Sequence, residues 1–193
     1  MDGTKDVIQN LNVKTLLIGK QNQKTKECEE ILQIAKQNNV AIKVVSNLNK
    51  INIDKYVSVK ILAPNSNNLI EENALNNNSV VAKLEYGQFS MLFTGDIEKS
   101  VEEQLIKEKK NELKSTVLKV AHHGSNSSTT DEFVKEVKPQ IALIGVGENN
   151  KYGHPNSQVL ERLKCKIYRT DRDGEISIIV NKKGKMKIET KIN

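Results

Sequence analysis

Thr116-Val-Leu-Lys-Val-Ala-His122-His123-Gly-Ser125 is an apolar run that passes directly into two histidines and a glycine. A short run rich in β-branched residues reads as a strand, and the polar residues after it fall in the loop at its end. Two more strands end in the same manner. The run over 89–93 closes in Phe-Thr-Gly-Asp96, and the run over 140–146 is soon followed by Tyr152-Gly-His154-Pro155. Sites in layered α/β folds collect beyond strand ends, where loops carry polar groups on a rigid frame. Asp96, His154 and at least one of His122 and His123 are therefore expected to converge on one edge of a sheet.

Outward from these strands, helical and strand-like segments alternate. Strands are read over 13–18, 41–45, 57–62, 116–121, 140–146 and 166–168, and helices over 2–11, 25–37, 97–107, 131–137 and 157–163. Segments 79–86 and 89–93 pair across Gly87-Gln88, a two-residue hairpin signal. A second hairpin joins 175–180 to 185–189. The asparagine-rich stretch 65–78 reads as a loop. The pattern predicts a mixed sheet in an α/β layered fold, with no internal repeat and one domain over residues 1–193.

Composition narrows the class. The chain has 193 residues, 37% hydrophobic and 28% charged, with only 10 glycines and 3 prolines, which excludes collagen, low-complexity disorder and a disulfide scaffold. No run approaches the roughly 18 apolar residues of a membrane span, so none is expected. The opening Met1-Asp2-Gly3-Thr4 has neither the basic start nor the apolar stretch of a signal peptide. Lysine and arginine total 30 against 24 acidic residues, and arginine stands only at 162, 169 and 172. Few arginines, three Phe, four Tyr and no Trp argue against a dedicated nucleic-acid reader. Cys28 and Cys165 lack C-x-x-C spacing, so a thiolate zinc site is not expected, and neither charge nor cysteine assigns a compartment.

Imidazole nitrogen and carboxylate oxygen suit zinc, manganese or iron, and a carboxylate can bridge two cations. Each residue has a plainer role as well. Asp96 precedes a helix and fits an N-cap, His122 and His123 fit a solvated turn, and His154 fits a turn before Pro155. Ser125, Ser127 and Ser128 suit a polar loop, and Thr129 with Glu132 forms a capping box for the next helix. The coincidence of three strand-end signals favours the metal reading.

Four motifs then occur in order: Phe-Thr-Gly-Asp96, Val-Leu-Lys-Val-Ala-His122-His123-Gly-Ser125, Asn149-Asn150-Lys-Tyr152-Gly153-His154-Pro155 and Tyr168-Arg-Thr-Asp171-Arg-Asp-Gly174. Together they resemble the metallo-β-lactamase superfamily and, within it, the hydrolase domains of the ComEC type, over about residues 2–190. The resemblance implies an αββα sandwich with a one- or two-metal site at the sheet edge. It implies Asp96 as the bridging carboxylate, His122 or His123 as a ligand with the other stabilising the transition state, and His154 as the next ligand. In that assignment Asp96, His122 and His154 hold the metal, and His123 and Ser125 serve catalysis. Asn77, Asn78 and Ser79 match an element that lines the site or turns the chain into the next strand.

The family's His-x-(His/Asp)-x-Asp-His motif is not in this sequence, and Met1 to Lys5 resembles the stretch that follows it. The expectation is a fold incomplete at its amino terminus, through truncation or degeneration. It carries a weak or partial site for zinc or manganese, and an exposed edge that invites self-association. The function implied is metal-dependent hydrolysis of a phosphodiester such as single-stranded DNA. The alternative is a non-catalytic binding or structural remnant of the fold.

Overall fold

The computed structural model describes residues 2–192. Its centre is a seven-stranded sheet. In chain order the strands are β3 (Lys50–Asn52), β4 (Val57–Ala63), β5 (Val81–Tyr86), β6 (Phe89–Phe93), β7 (Val117–Lys119), β8 (Ile141–Ile144) and β9 (Lys166–Arg169), and they are neighbours in the same order. The pairs from β3 to β6 are antiparallel and those from β6 to β9 are parallel. Parallel pairing places the ends of β6, β7 and β8 on one rim, so the three motifs share an edge.

Period-2 alternation in the central strands sorts their side chains onto two faces. Leu92, Leu118, Val120, Ala142 and Ile144 pack with Val101 and Leu105 of helix α4 (Lys99–Leu113), Phe133 and Val137 of α5 (Asp131–Val137), and Val159 of α6 (Ser157–Arg162). Phe89, Val117 and Ile141 point the other way. They meet Ile178, Val180, Met186 and Ile188 of the hairpin β10 (Glu175–Val180) and β11 (Met186–Lys191). Strands covered on both faces read as near-continuous apolar runs, which is why these segments stood out in the sequence.

A smaller unit carries the start of the chain. Strands β1 (Thr15–Gly19) and β2 (Ala41–Val45) pair in parallel around α2 (Lys26–Gln37), and α1 (Asp2–Asn10) packs beside it. Ile8, Ile31, Ala35 and Val40 form their core with Leu16 and Ile42. The remaining apolar surface is open: Leu17 is 42% exposed and Val44 59% exposed, with Val7 and Leu11 also exposed. Helices α4 to α6 on one face of the main sheet and the β10–β11 hairpin on the other give a layered α/β sandwich. Among the described residues no helix is long and apolar enough to cross a membrane.

Several local readings are corrected. The fourth helix begins after Glu98 rather than at Ile97 and runs on to Leu113, and no side chain caps it, so Asp96 is not its N-cap. The cap of α5 is Thr130, whose hydroxyl accepts from the Phe133 N–H, not Thr129. Thr129 has φ +56, and its N–H is taken by Glu102. The stretch 65–78 contains a short helix, α3 (Ala74–Asn77). Neither β3 nor α7 (Thr170–Asp173) was read, both being too short to show a period.

Thr25 caps α2 as read, its hydroxyl accepting from the Cys28 N–H at 3.2 Å. Thr25→Ala is expected to cost about 1 kcal/mol, seen as a lower midpoint in urea at unchanged slope. A change within experimental error would show that the cap is replaced by water.

Candidate metal centre

Two glycines let the strand-end loops approach each other. Gly95 has φ +54, and a Cβ there would lie 2.7 Å from Ser79 Cβ. Its carbonyl accepts from the His122 N–H at 3.0 Å, joining the loop after β6 to the loop after β7. Gly124 has φ +84 and abuts Pro155, and its carbonyl accepts from the Asn156 N–H at 2.9 Å. That contact brings in the loop of His154. Asn150 shapes the same loop, accepting from the His154 N–H at 3.0 Å and donating to the His154 carbonyl at 2.7 Å.

His122 and His123 both sit in the left-handed region, at φ +47 and φ +54. Each costs about 1–2 kcal/mol there, so the surrounding structure must hold them. The Gly95 carbonyl and the Ser125 N–H hold the His122 backbone, and Glu102 of α4 fixes the end of the same loop. Its buried carboxylate accepts from the Thr129 N–H at 2.5 Å, the Thr130 N–H at 2.9 Å and the Thr130 hydroxyl at 2.8 Å. Burial raises the Glu102 pKa and these hydrogen bonds pull it back. Arg162 braces the loop from α6, donating to the Ser128 carbonyl and to Asn126 Oδ1.

The side chains above this base form two pairs. His123 Nδ1 donates to the Gly145 carbonyl at 2.5 Å, and its Nε2, the acceptor atom of the neutral ring, lies 3.8 Å from Asp96 Oδ1. The ring of His122 meets that of His154 edge-on, with centroids 6.0 Å apart. Tyr152, almost fully exposed, stacks on the outer side of His154. Burial, and then the nearby His122 and His123, hold the His154 pKa below its ordinary value, which favours the neutral ring a metal requires.

On this rim Asp96 pairs with His123 and His122 with His154. Ser125 lies at the margin, its hydroxyl 3.1 Å from that of Ser127. Ser79 Oγ accepts from the Asp96 N–H at 3.2 Å and Asn77 Oδ1 from the Glu98 N–H at 3.0 Å, so both support the site. Asn78 instead staples the preceding loop to Ile70 and Ala74. Two residues were missed by sequence reasoning. Glu98 lies 3.9 Å from His122 Nδ1. Lys119 lies under the rim against Gly145, its pKa lowered by burial and partly restored by Asp96. Neither carries a sequence signal, because each acts through packing between separate strand ends.

A lone-pair nitrogen facing a carboxylate oxygen repels it unless a cation or proton lies between. Zinc–nitrogen and zinc–oxygen bonds of about 2.0–2.2 Å at a tetrahedral angle set two donors about 3.3–3.5 Å apart, so the 3.8 Å gap needs only a slight closure. With that closure the His123–Asp96 gap fits one such ion. Among the described residues no group of three His, Cys, Asp or Glu side chains is placed to hold a metal, so the seat is a partial one.

No protein-family model matches the chain. It is 35% identical over 173 residues to ComE operon protein 3 of Bacillus subtilis, covering 88% of this chain and 22% of that protein. It is 32% identical over 131 residues to competence protein ComA of Neisseria gonorrhoeae, covering 66% of this chain and 18% of that protein. The chain thus spans about a fifth of the length of these curated relatives. Among solved structures, a variant of the CmlA β-hydroxylase aligns at TM-score 0.51 and 10% identity, covering 84% of this chain and 39% of that one, a likeness of fold alone. By sequence the chain is homologous to one segment of these competence-protein relatives, and its fold is metallo-β-lactamase-like.

Proposed function

We propose that this chain belongs to a metal-dependent hydrolase and acts on a phosphodiester, single-stranded DNA being the substrate its relatives' role in competence favours. The observation that carries the reading is the placement of His123 Nε2 3.8 Å from Asp96 Oδ1, an imidazole nitrogen and a carboxylate oxygen facing each other at the strand ends. A divalent ion, zinc or manganese, would be held between them, and it supplies a more acidic bound water and charge stabilisation on a phosphoryl oxygen. His122 and His154 stand beside that seat, and Ser125 at its margin offers a hydroxyl to substrate. The formal charge of +6 favours approach of a polyanion.

Two protein donors hold an ion loosely, so the isolated chain is proposed to bind one zinc or manganese weakly and to turn over near background. The test is titration calorimetry with each metal, beside cleavage of end-labelled single-stranded DNA. Asp96→Ala and His123→Ala are each expected to weaken metal binding at least about tenfold, about 1.4 kcal/mol. Absence of a heat of binding, or variants that bind as the parent does, would overturn the metal reading. Two ions per chain with fast turnover would overturn the partial seat. A remnant that only binds is the second reading, favoured by the missing three-donor group, and it predicts metal-independent DNA binding without cleavage.

We also propose that the chain self-associates through the open face of β1 and β2. Among the described residues these strands pair only with each other, and Leu17 and Val44 stand exposed on them. Sedimentation should show a concentration-dependent dimer that Leu17→Lys abolishes. A clean monomer at high concentration would remove the proposal.

A further inference from the structure

We propose that Glu98 is a positioning residue for His122: its carboxylate selects the ring form with hydrogen on Nδ1, so that Nε2 faces the site as a lone pair. The inference rests on the hydrolase reading above for its purpose, though not for its geometry. His122 Nδ1 is buried without a hydrogen-bond partner, and the Glu98 Oε1 atom lies 3.9 Å from it. The backbone of His122 cannot shift to seek another partner, since its N–H donates to Gly95 and its carbonyl accepts from Ser125. Only rotation of the ring and carboxylate remains, and a movement of about 1 Å brings the pair within bonding distance.

Glu98 is itself held for such a role. Oε2 accepts from Asn73 Nδ2 at 2.8 Å and from Asn77 Nδ2 at 3.4 Å, and Oε1 accepts from the Ser127 hydroxyl at 3.1 Å. All three donors are neutral, so they orient the carboxylate without cancelling its charge. Among the described residues its ion-pair neighbour is His122. A carboxylate behind a ligating imidazole fixes its tautomer and ring orientation and raises its basicity. The Gly145 carbonyl does the same for His123. With Glu98 turned onto His122, each of the two adjacent histidines has an acceptor for its Nδ1–H, and both keep Nε2 as the free donor atom.

Long-range nitrogen-15 spectra of the metal-free protein at about pH 8.5, where an ordinary imidazole is neutral, read the tautomers directly. His122 and His123 should both carry hydrogen on Nδ1. In Glu98→Ala, His122 should change to the Nε2–H form common in water while His123 stays as it was, a selective response that general loosening would not give. If His122 Nε2 joins Asp96 and His123 around the ion, zinc affinity by calorimetry should fall about 10- to 100-fold. Glu98→Gln keeps an oxygen for Nδ1–H and should retain the tautomer with an intermediate affinity, and it serves if the alanine variant does not fold. An Nε2–H form of His122 in the parent, or no change in Glu98→Ala, overturns the proposal. If the tautomers behave as stated and zinc does not bind, the hydrolase reading fails and the placement of Glu98 stands.

Discussion

Glu102→Ala is expected to lower the unfolding free energy by about 3–5 kcal/mol, the largest effect of any single change beneath the site. The carboxylate is fully buried and accepts three hydrogen bonds from Thr129 and Thr130. Truncation leaves two N–H groups and a hydroxyl facing a void. Thr130 also caps α5, whose Phe133 is in the main core, so the damage spreads to packing. Relief of the desolvation that raises the Glu102 pKa returns part of the loss.

The same shift fixes a pH dependence. The folded pKa lies above the unfolded value of about 4.3, so the folded state binds more protons in that window. The stability this ionisation contributes is full below the unfolded value and is lost as pH rises through the folded one. The parent loses that part and the variant has none to lose. The gap between them is therefore expected to be widest near pH 4 and to narrow toward neutrality. Urea unfolding at several pH values measures it. A gap that widens with pH would mean that the ionised carboxylate is better solvated in the fold than in water.

The sheet was legible in the sequence because its central strands are covered on both faces. Val117, Leu118, Ile141, Ala142 and Ile144 show that burial as apolar runs, and each run stops at the loop that carries a polar group. The placement of Asp96 beside His123 and of His122 beside His154 follows from those stops together with parallel pairing. What escaped was set by contacts far apart in the chain. Glu102 takes the Thr129 N–H and leaves the cap of α5 to Thr130, and nothing near Thr129 announces a carboxylate 27 positions away. The division of His122 toward Glu98 and His123 toward Gly145 depends on two successive left-handed residues, a conformation that histidine does not advertise.

Gly124→Ala is expected to cost about 2–5 kcal/mol and to part the two histidine loops. One share is conformational: φ +84 carries a penalty of about 1–2 kcal/mol for a residue with a Cβ. The other is steric, since the new methyl would stand 2.6 Å from Pro155 Cβ and 3.1 Å from its Cα. Overpacking of this kind costs about 1–3 kcal/mol, because a proline ring has little freedom to yield. Pro155 follows His154 directly, and the Asn156 N–H donates to the Gly124 carbonyl, so any retreat draws His154 away from His122. The two shares separate in the double variant Gly124→Ala, Pro155→Gly. It removes the clash but leaves the left-handed strain, so it should be less damaged by the glycine change than the Pro155 parent is. The ring contact between His122 and His154, followed by proton chemical shifts, should weaken in the single variant. If Gly124→Ala keeps both stability and that contact, the close approach of the two loops is not what holds His154 in the site.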